Sequence, residues 1–167
     1  MKIGIISDTH GNEDNLDSCL TYLKNSGINT IIHCGDLGGP AVVQRFKGIR
    51  LILVYGNTDK LNDFIRMRID DLQTNSFAGL TFEGTLAGRR FFVAHGHHED
   101  VIMDAILSDK YDYVIHGHTH ARRDERHKHT RILNPGALGG TKHEPRSFML
   151  LDLARDDLLT IEISSFS

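Results

Sequence analysis

Asp8-Thr9-His10, Gly35-Asp36, Gly56-Asn57-Thr58-Asp59, His95-Gly96-His97 and Gly117-His118-Thr119-His120 are the segments of this chain whose side chains could do chemistry. Together they hold carboxylates, imidazoles and the carboxamide of Asn57, with no thiolate among them. Gathering such groups in one buried place costs on the order of several kcal/mol per charge unless something compensates. A metal ion compensates carboxylate charge and also uses the lone pair of neutral imidazole. Nitrogen and oxygen ligands without sulfur suit Mn, Fe, Co, Ni or Zn and fit poorly to a closed structural zinc site. Asp8, His10, Asp36, Asn57, His95, His118 and His120 are too many donors for one ion. With one carboxylate shared, they divide between two divalent ions. Each short motif alone is weak; the ordered set is specific.

Each segment follows directly on an apolar run, at 3–6, 30–33, 50–55, 91–94 and 113–116. These runs are nearly continuous rather than alternating, the pattern of strands covered on both faces. In open α/β sheets the carboxyl ends of the strands face the ligand crevice. If the five strands share one sheet and run parallel, their loops meet at one place. Gly35, Gly56, Gly96 and Gly117 stand where the chain turns off a strand, where positive φ is expected.

The remaining elements follow from periodicity and punctuation. Asn12 can cap a helix whose Leu16, Cys19, Leu20 and Leu23 fall on one face and which Gly27 closes. A shorter helix starts at Pro40 and carries 41–46, and a third runs over about 98–108 with Val101, Ile102, Ala105 and Ile106 on one face. Paired strands are expected at 77–83 and 89–94 around Gly84 and Gly88. Hairpins are expected at 122–126 with 130–133, and at 147–152 with 158–164 around the turn at 155–157. The sum is one mixed α/β domain over residues 1–167, with two sheets packed face to face and helices outside.

Composition narrows the class. A chain of 167 residues buries roughly two-thirds of its unfolded surface and needs no staples. A net charge of -3 argues against a general nucleic-acid coat, so nucleic acid is not indicated as a partner. Cys19 and Cys34 form no CxxC pattern, which disfavours a disulfide framework or a thiolate metal site. The N-terminal apolar run is too short for a signal peptide, and no stretch approaches the roughly 20 apolar residues of a membrane helix. A cytoplasmic protein is expected.

In order, Asp-x-His, Gly-Asp, Gly-Asn-x-Asp, His-Gly-His and Gly-His-x-His resemble the motifs of the calcineurin-like metallophosphoesterase superfamily. The short length and the Gly56-Asn57-Thr58-Asp59 form resemble its small bacterial and archaeal phosphodiesterase branch, the YfcE-like proteins. The resemblance runs from Lys2 to about Gly140. It implies a four-layer α/β/β/α sandwich of two mixed β-sheets flanked by helices, with a dinuclear site at the strand ends. It assigns Asp8, His10 and His120 to one metal and Asn57, His95 and His118 to the second, with Asp36 bridging. It implies a phosphodiesterase of broad specificity acting on a small phosphodiester, by in-line attack of a metal-bridging hydroxide at a centre that includes Asp36 and Asn57. Manganese is the first metal expected, with Ni, Co, Fe or Zn as alternatives. Assembly as a homodimer is likewise implied by the resemblance.

Two positions depart from the family pattern. Many members carry a histidine directly after the metal-binding asparagine, where it protonates the leaving group; here Thr58 follows, as a non-histidine commonly does in the YfcE-like branch. A threonine hydroxyl donates a hydrogen bond but does not titrate near neutral pH. His97 is the candidate substitute, its competing role being to orient neighbouring ligands. The loop Asn134-Pro135-Gly136 matches a family loop near the site, but Ala137 stands where a serine often follows, so no polar contact is assigned there. The alternative is a plain tight turn.

Other features have blander readings. The basic stretch 122–131 is read as a solvated hairpin, the sharper alternative being a substrate or nucleic-acid contact near His120. His33 and His116 lie inside apolar runs and are read as core residues; His127, His129 and His143 are expected to be exposed. Short loops without a substrate motif leave an open site and favour broad activity. The rival functions are a phosphomonoesterase or nuclease using the same site, or a non-catalytic protein-binding scaffold of the same fold, which the retromer scaffold subunit resembles.

Overall fold

The computed structural model describes residues 1–60, 62–141 and 145–163. In chain order its strands are β1 (Lys2–Ile6), β2 (Thr30–His33), β3 (Arg50–Val54), β4 (Phe77–Gly79), β5 (Thr81–Leu86), β6 (Arg89–Ala94), β7 (Tyr113–Ile115), β8 (Arg123–His127), β9 (Thr130–Asn134), β10 (Arg146–Asp152) and β11 (Asp157–Ile163). The helices are α1 (Glu13–Asn25), α2 (Asn62–Asp70) and α3 (Glu99–Leu107), with a 3-10 helix at Pro40–Phe46.

These strands make two mixed sheets, one of order β11-β10-β1-β2-β3-β4 and one of order β5-β6-β7-β9-β8. Ile3, Ile5, Ile32, Ile52, Val54 and Met149 of the first sheet pack against Phe91, Val93, Tyr113, Ile115 and Leu133 of the second. The other face of the first sheet is covered by Leu16, Leu20 and Leu23 of α1, Val43 and Phe46 of the 3-10 helix, and Ile65 and Ile69 of α2. On the second sheet, Ile102, Ala105 and Ile106 of α3 lie over Phe92, Val114 and Ile132. The result is the expected α/β/β/α layering, and it explains the continuous apolar runs: β1, β2 and β3 are covered on both faces.

One expectation fails. The five motif-bearing strands do not share a sheet: β1, β2 and β3 run parallel in the first, whereas β6 and β7 run parallel in the second. The break comes at the antiparallel hairpin of β5 and β6, whose turn holds Ala87 at φ 48° and Gly88 at φ 79°. That hairpin starts a new sheet. Because the sheets pack face to face, both sets of strand ends still reach the same edge of the molecule.

Asn12 caps α1 as expected, its side chain accepting the Asn15 N–H. Helix α2 was not expected, and the strand expected over 77–83 is divided, β4 joining β3 in the first sheet and β5 pairing with β6 in the second. Ile65 and Ile69 are the buried residues of α2, while its Phe64 and Met67 are exposed, so apolar residues sit on both faces and blur the period. His143 and Ser164 fall outside the described residues. Among those described, no helix is long and apolar enough to cross a membrane.

Candidate metal centre

Asp8 follows β1 and is fully buried. Its Oδ2 accepts the Ser7 hydroxyl at 2.5 Å and the His118 N–H at 3.0 Å. Its Oδ1 is buried and, among the described residues, accepts no hydrogen bond, although His120 Nε2 stands 3.2 Å away and His10 Nε2 3.8 Å away. The two imidazole nitrogens face each other at 3.3 Å. An orphaned carboxylate oxygen beside two converging ring nitrogens is costly alone and well suited to a cation.

A second convergence lies beside it. His95 Nδ1 is 2.7 Å from the Cys34 carbonyl, to which it donates, so Nε2 is the ring nitrogen turned toward the other side chains. That Nε2 faces Asn57 Oδ1 at 3.1 Å, His118 Nδ1 at 3.3 Å and Asp36 Oδ2 at 3.5 Å. Asp36 Oδ2 is also 3.7 Å from His10 Nε2, so this carboxylate stands between the two groups. All seven residues singled out in the sequence are therefore brought to one place. Atoms of Asp8, His10 and His120 that could serve as ligands lie within 4.8 Å of one another, as do those of Asp8, Asp36 and His95.

The electrostatics agree with this donor set. Burial opposes ionisation of Asp36, but hydrogen bonds from His95, the Thr58 N–H and the Thr58 hydroxyl hold its carboxyl well below the usual range. Burial likewise opposes protonation of His95, yet its bonds to Asp36 and the Cys34 carbonyl raise it.

The backbone is bent to deliver these groups. Asp8, His10, Asp36, His118 and His120 take φ of 51°, 47°, 56°, 66° and 61°, the left-handed region that non-glycine residues avoid. Such strain persists only where surroundings over-determine it. Gly35 is at positive φ as expected, but Gly56 and Gly117 are not; they are needed for space. A Cβ on Gly56 would lie 2.1 Å from Asp36 Oδ1, and one on Gly117 would lie 1.9 Å from Ser7 Oγ.

Two residues to which the sequence assigned no role, Asp59 and Asn134, supply the clamp. Buried Asp59 accepts the N–H groups of Asp36, Leu37 and Gly56 at 2.8, 2.9 and 2.8 Å, locking the loop after β2 to the loop after β3. Its place in Gly-Asn-x-Asp was the available signal. Asn134 is more than part of a tight turn: its amide donates to the Gly117 carbonyl at 2.9 Å and its oxygen accepts the Gly136 N–H at 2.9 Å. Beyond it, the Gly139 N–H donates to the Asp8 carbonyl at 2.8 Å.

His97 lies beside the centre, its ring centroid 5.4 Å from that of His95 and 6.2 Å from that of His118. Burial, then the neighbouring His98 and His95, lower its pKa, which favours a neutral ring at neutral pH. His33 and His116 are buried. The cations of the 122–131 hairpin are taken up in ion pairs: Arg122 with Glu162, Arg123 with Glu125, Arg126 with Asp156, Lys128 with Asp109, and Arg131 with Asp124 and Asp156.

Comparison with known proteins gives one family. The model of the calcineurin-like phosphoesterase superfamily domain matches residues 1–156. The phosphodiesterase MJ0936 of Methanocaldococcus jannaschii is 34% identical over 142 residues, covering 84% of this chain and 86% of that protein. A solved archaeal phosphodiesterase has a TM-score of 0.93 at 31% identity, covering 98% of this chain and 100% of the other. The phosphoesterase YfcE of E. coli has a TM-score of 0.67 at 21% identity, covering 98% and 100%, a likeness of fold.

Proposed function

The chain belongs to the calcineurin-like phosphoesterase superfamily, and from that premise we propose that it is a divalent-metal-dependent phosphodiesterase acting on small diesters with broad specificity. The observation that carries the metal dependence is the buried Asp8 Oδ1, which no hydrogen bond satisfies, with two imidazole nitrogens converging on it. In this reading Asp8, His10 and His120 would hold one ion and Asn57, His95 and His118 the other, with Asp36 serving both. Manganese is the metal proposed. When bound, such a pair of ions lowers the pKa of water and neutralises charge on the phosphoryl oxygens.

The chain's own groups do the rest. Asp36 stays ionised throughout the neutral range and fixes the spacing of the two halves. Asn57 contributes an uncharged oxygen, limiting the negative charge that a phosphate must approach. Thr58 spends its N–H on Asp36 rather than on substrate. His97, neutral and next to the centre, is assigned as the hydrogen-bond donor to the departing oxygen, so esters with poor alkoxide leaving groups are expected to react slowly.

The test is hydrolysis of bis(4-nitrophenyl) phosphate and of 4-nitrophenyl phosphate by metal-stripped protein supplied with single divalent ions. Manganese is expected to restore cleavage, with the diester preferred. Stripped protein as active as loaded protein would remove the metal from the account, and a clear monoester preference would replace the diester.

A further inference from the structure

A cleft of about 230 Å³ opens beside the candidate centre, between the start of β5 and the N-terminal end of α3. Leu80, Thr81, His97, His98 and Val101 line it, together with His95, whose Nε2 faces Asp36 3.5 Å away. Cleft and centre therefore share a wall. Leu80 is 71% exposed, an apolar side chain kept at the rim of a polar site. The rings of His97 and His98, both in the lining of the cleft, lie 4.3 Å apart and are tilted by 46°. No carboxylate, lysine or arginine lines this space, so a second phosphate would find no charged partner there.

The other flank differs in size and polarity. A cleft of about 480 Å³ adjoins His10 and His120 and is lined also by Gly11, Asn12 and Thr141. A phosphoryl group at the centre would thus have an apolar recess on one side and a wide polar opening on the other. The recess is smaller than the roughly 300–1,000 Å³ that houses a whole drug-sized ligand, and suits a single ring.

We infer that the substrate is an asymmetric diester with one planar, apolar substituent, an aryl or nucleobase-like ring, which lodges between Leu80, Val101, His97 and His98. The inference rests on the phosphodiesterase reading and adds the substrate class to it. The polar remainder of the molecule lies toward Asn12 and Thr141.

The test uses the whole 167-residue chain, manganese-loaded, with bis(4-nitrophenyl) phosphate as substrate and inorganic phosphate, which has no ring, as competitive inhibitor. Leu80→Ser combined with Val101→Ser removes the apolar walls, while Leu80→Met keeps one. The double variant is expected to raise KM for the diester about tenfold, the low end of what losing apolar contact in a pocket costs. Inhibition by phosphate should stay within about twofold and Leu80→Met should behave as wild type. An unchanged KM overturns the inference, as does an equal weakening of phosphate, which would locate the damage at the centre. Wild-type protein that cleaves no diester defeats the phosphodiesterase reading itself; cleavage with a KM indifferent to the walls defeats the cleft assignment alone.

Discussion

The N–H of His118 donates to Asp8 Oδ2 at 3.0 Å, joining residues 110 positions apart in sequence that follow strands of different sheets. This bond ties the edge of one sheet to the edge of the other at the centre itself. It also consumes Oδ2, so the orphaned Oδ1 is the oxygen left for a cation. The spacing of the candidate ligands therefore depends on how the two sheets pack, and on the few residues that clamp their loops.

Asp59 is the first such clamp. Asp59→Asn keeps the shape but replaces one acceptor oxygen by an amide that opposes either the Leu37 N–H or the Asp36 and Gly56 N–H groups, according to which oxygen it replaces. Partners of ligands typically contribute about 10–100-fold to metal affinity or activity. A loss in that range is expected in metal titration, with about 2 kcal/mol lost from urea unfolding. Wild-type metal affinity in this variant would contradict the role.

Gly56→Ala tests the close approach. Its Cβ would stand 2.1 Å from Asp36 Oδ1, so the carboxylate or the loop must move. Displacing a reacting group by about 1 Å can cost 100-fold in rate. A loss of that order in kcat/KM is expected; a variant as active as wild type would show that the carboxylate has room.

Acid should weaken the metal-free protein through His33. Burial, and then the charge of His95, push its pKa down to about 3, against about 6.5 in an unfolded chain. Between those values the unfolded chain takes up a proton that the folded chain refuses, so stability falls as pH falls. His95 acts in the opposite sense: its pKa is raised by folding, so its contribution is present at low pH and lost as pH rises. Comparing wild type with His33→Gln isolates the first effect. Between about pH 7.5 and pH 5, wild type should lose about 2 kcal/mol more than the variant in urea unfolding. Equal losses would contradict this assignment.

The basic hairpin should be silent. Its cations are ion-paired, Arg131 bidentately with Asp124 at 2.7 and 2.8 Å. Arg126→Ala and Lys128→Ala are expected to leave the salt dependence of diester KM unchanged. Real phosphate contacts would flatten it by about one counterion per cation removed.

Much of this arrangement was legible beforehand, for identifiable reasons. Strands such as Arg50–Val54 announce themselves because burial on both faces leaves Leu51, Ile52, Leu53 and Val54 in an unbroken apolar row, and the chemistry-bearing residues follow where strands end. Helix α2 was not legible because exposed Phe64 and Met67 mimic a buried face. The division of five strands between two sheets was hidden because a strand covered on both faces reads alike in either. Asp59 stood in view within Gly56-Asn57-Thr58-Asp59, but its role as a clamp did not, because its partners are backbone N–H groups. The positive φ at Asp8 and His118 is invisible for the same reason.

The most direct measurement is the stoichiometry of manganese bound by stripped protein, from equilibrium titration read by elemental analysis. Wild type is predicted to bind two ions per chain, and His118→Ala fewer than two. One ion or none in wild type, or two retained in His118→Ala, would contradict the paired centre.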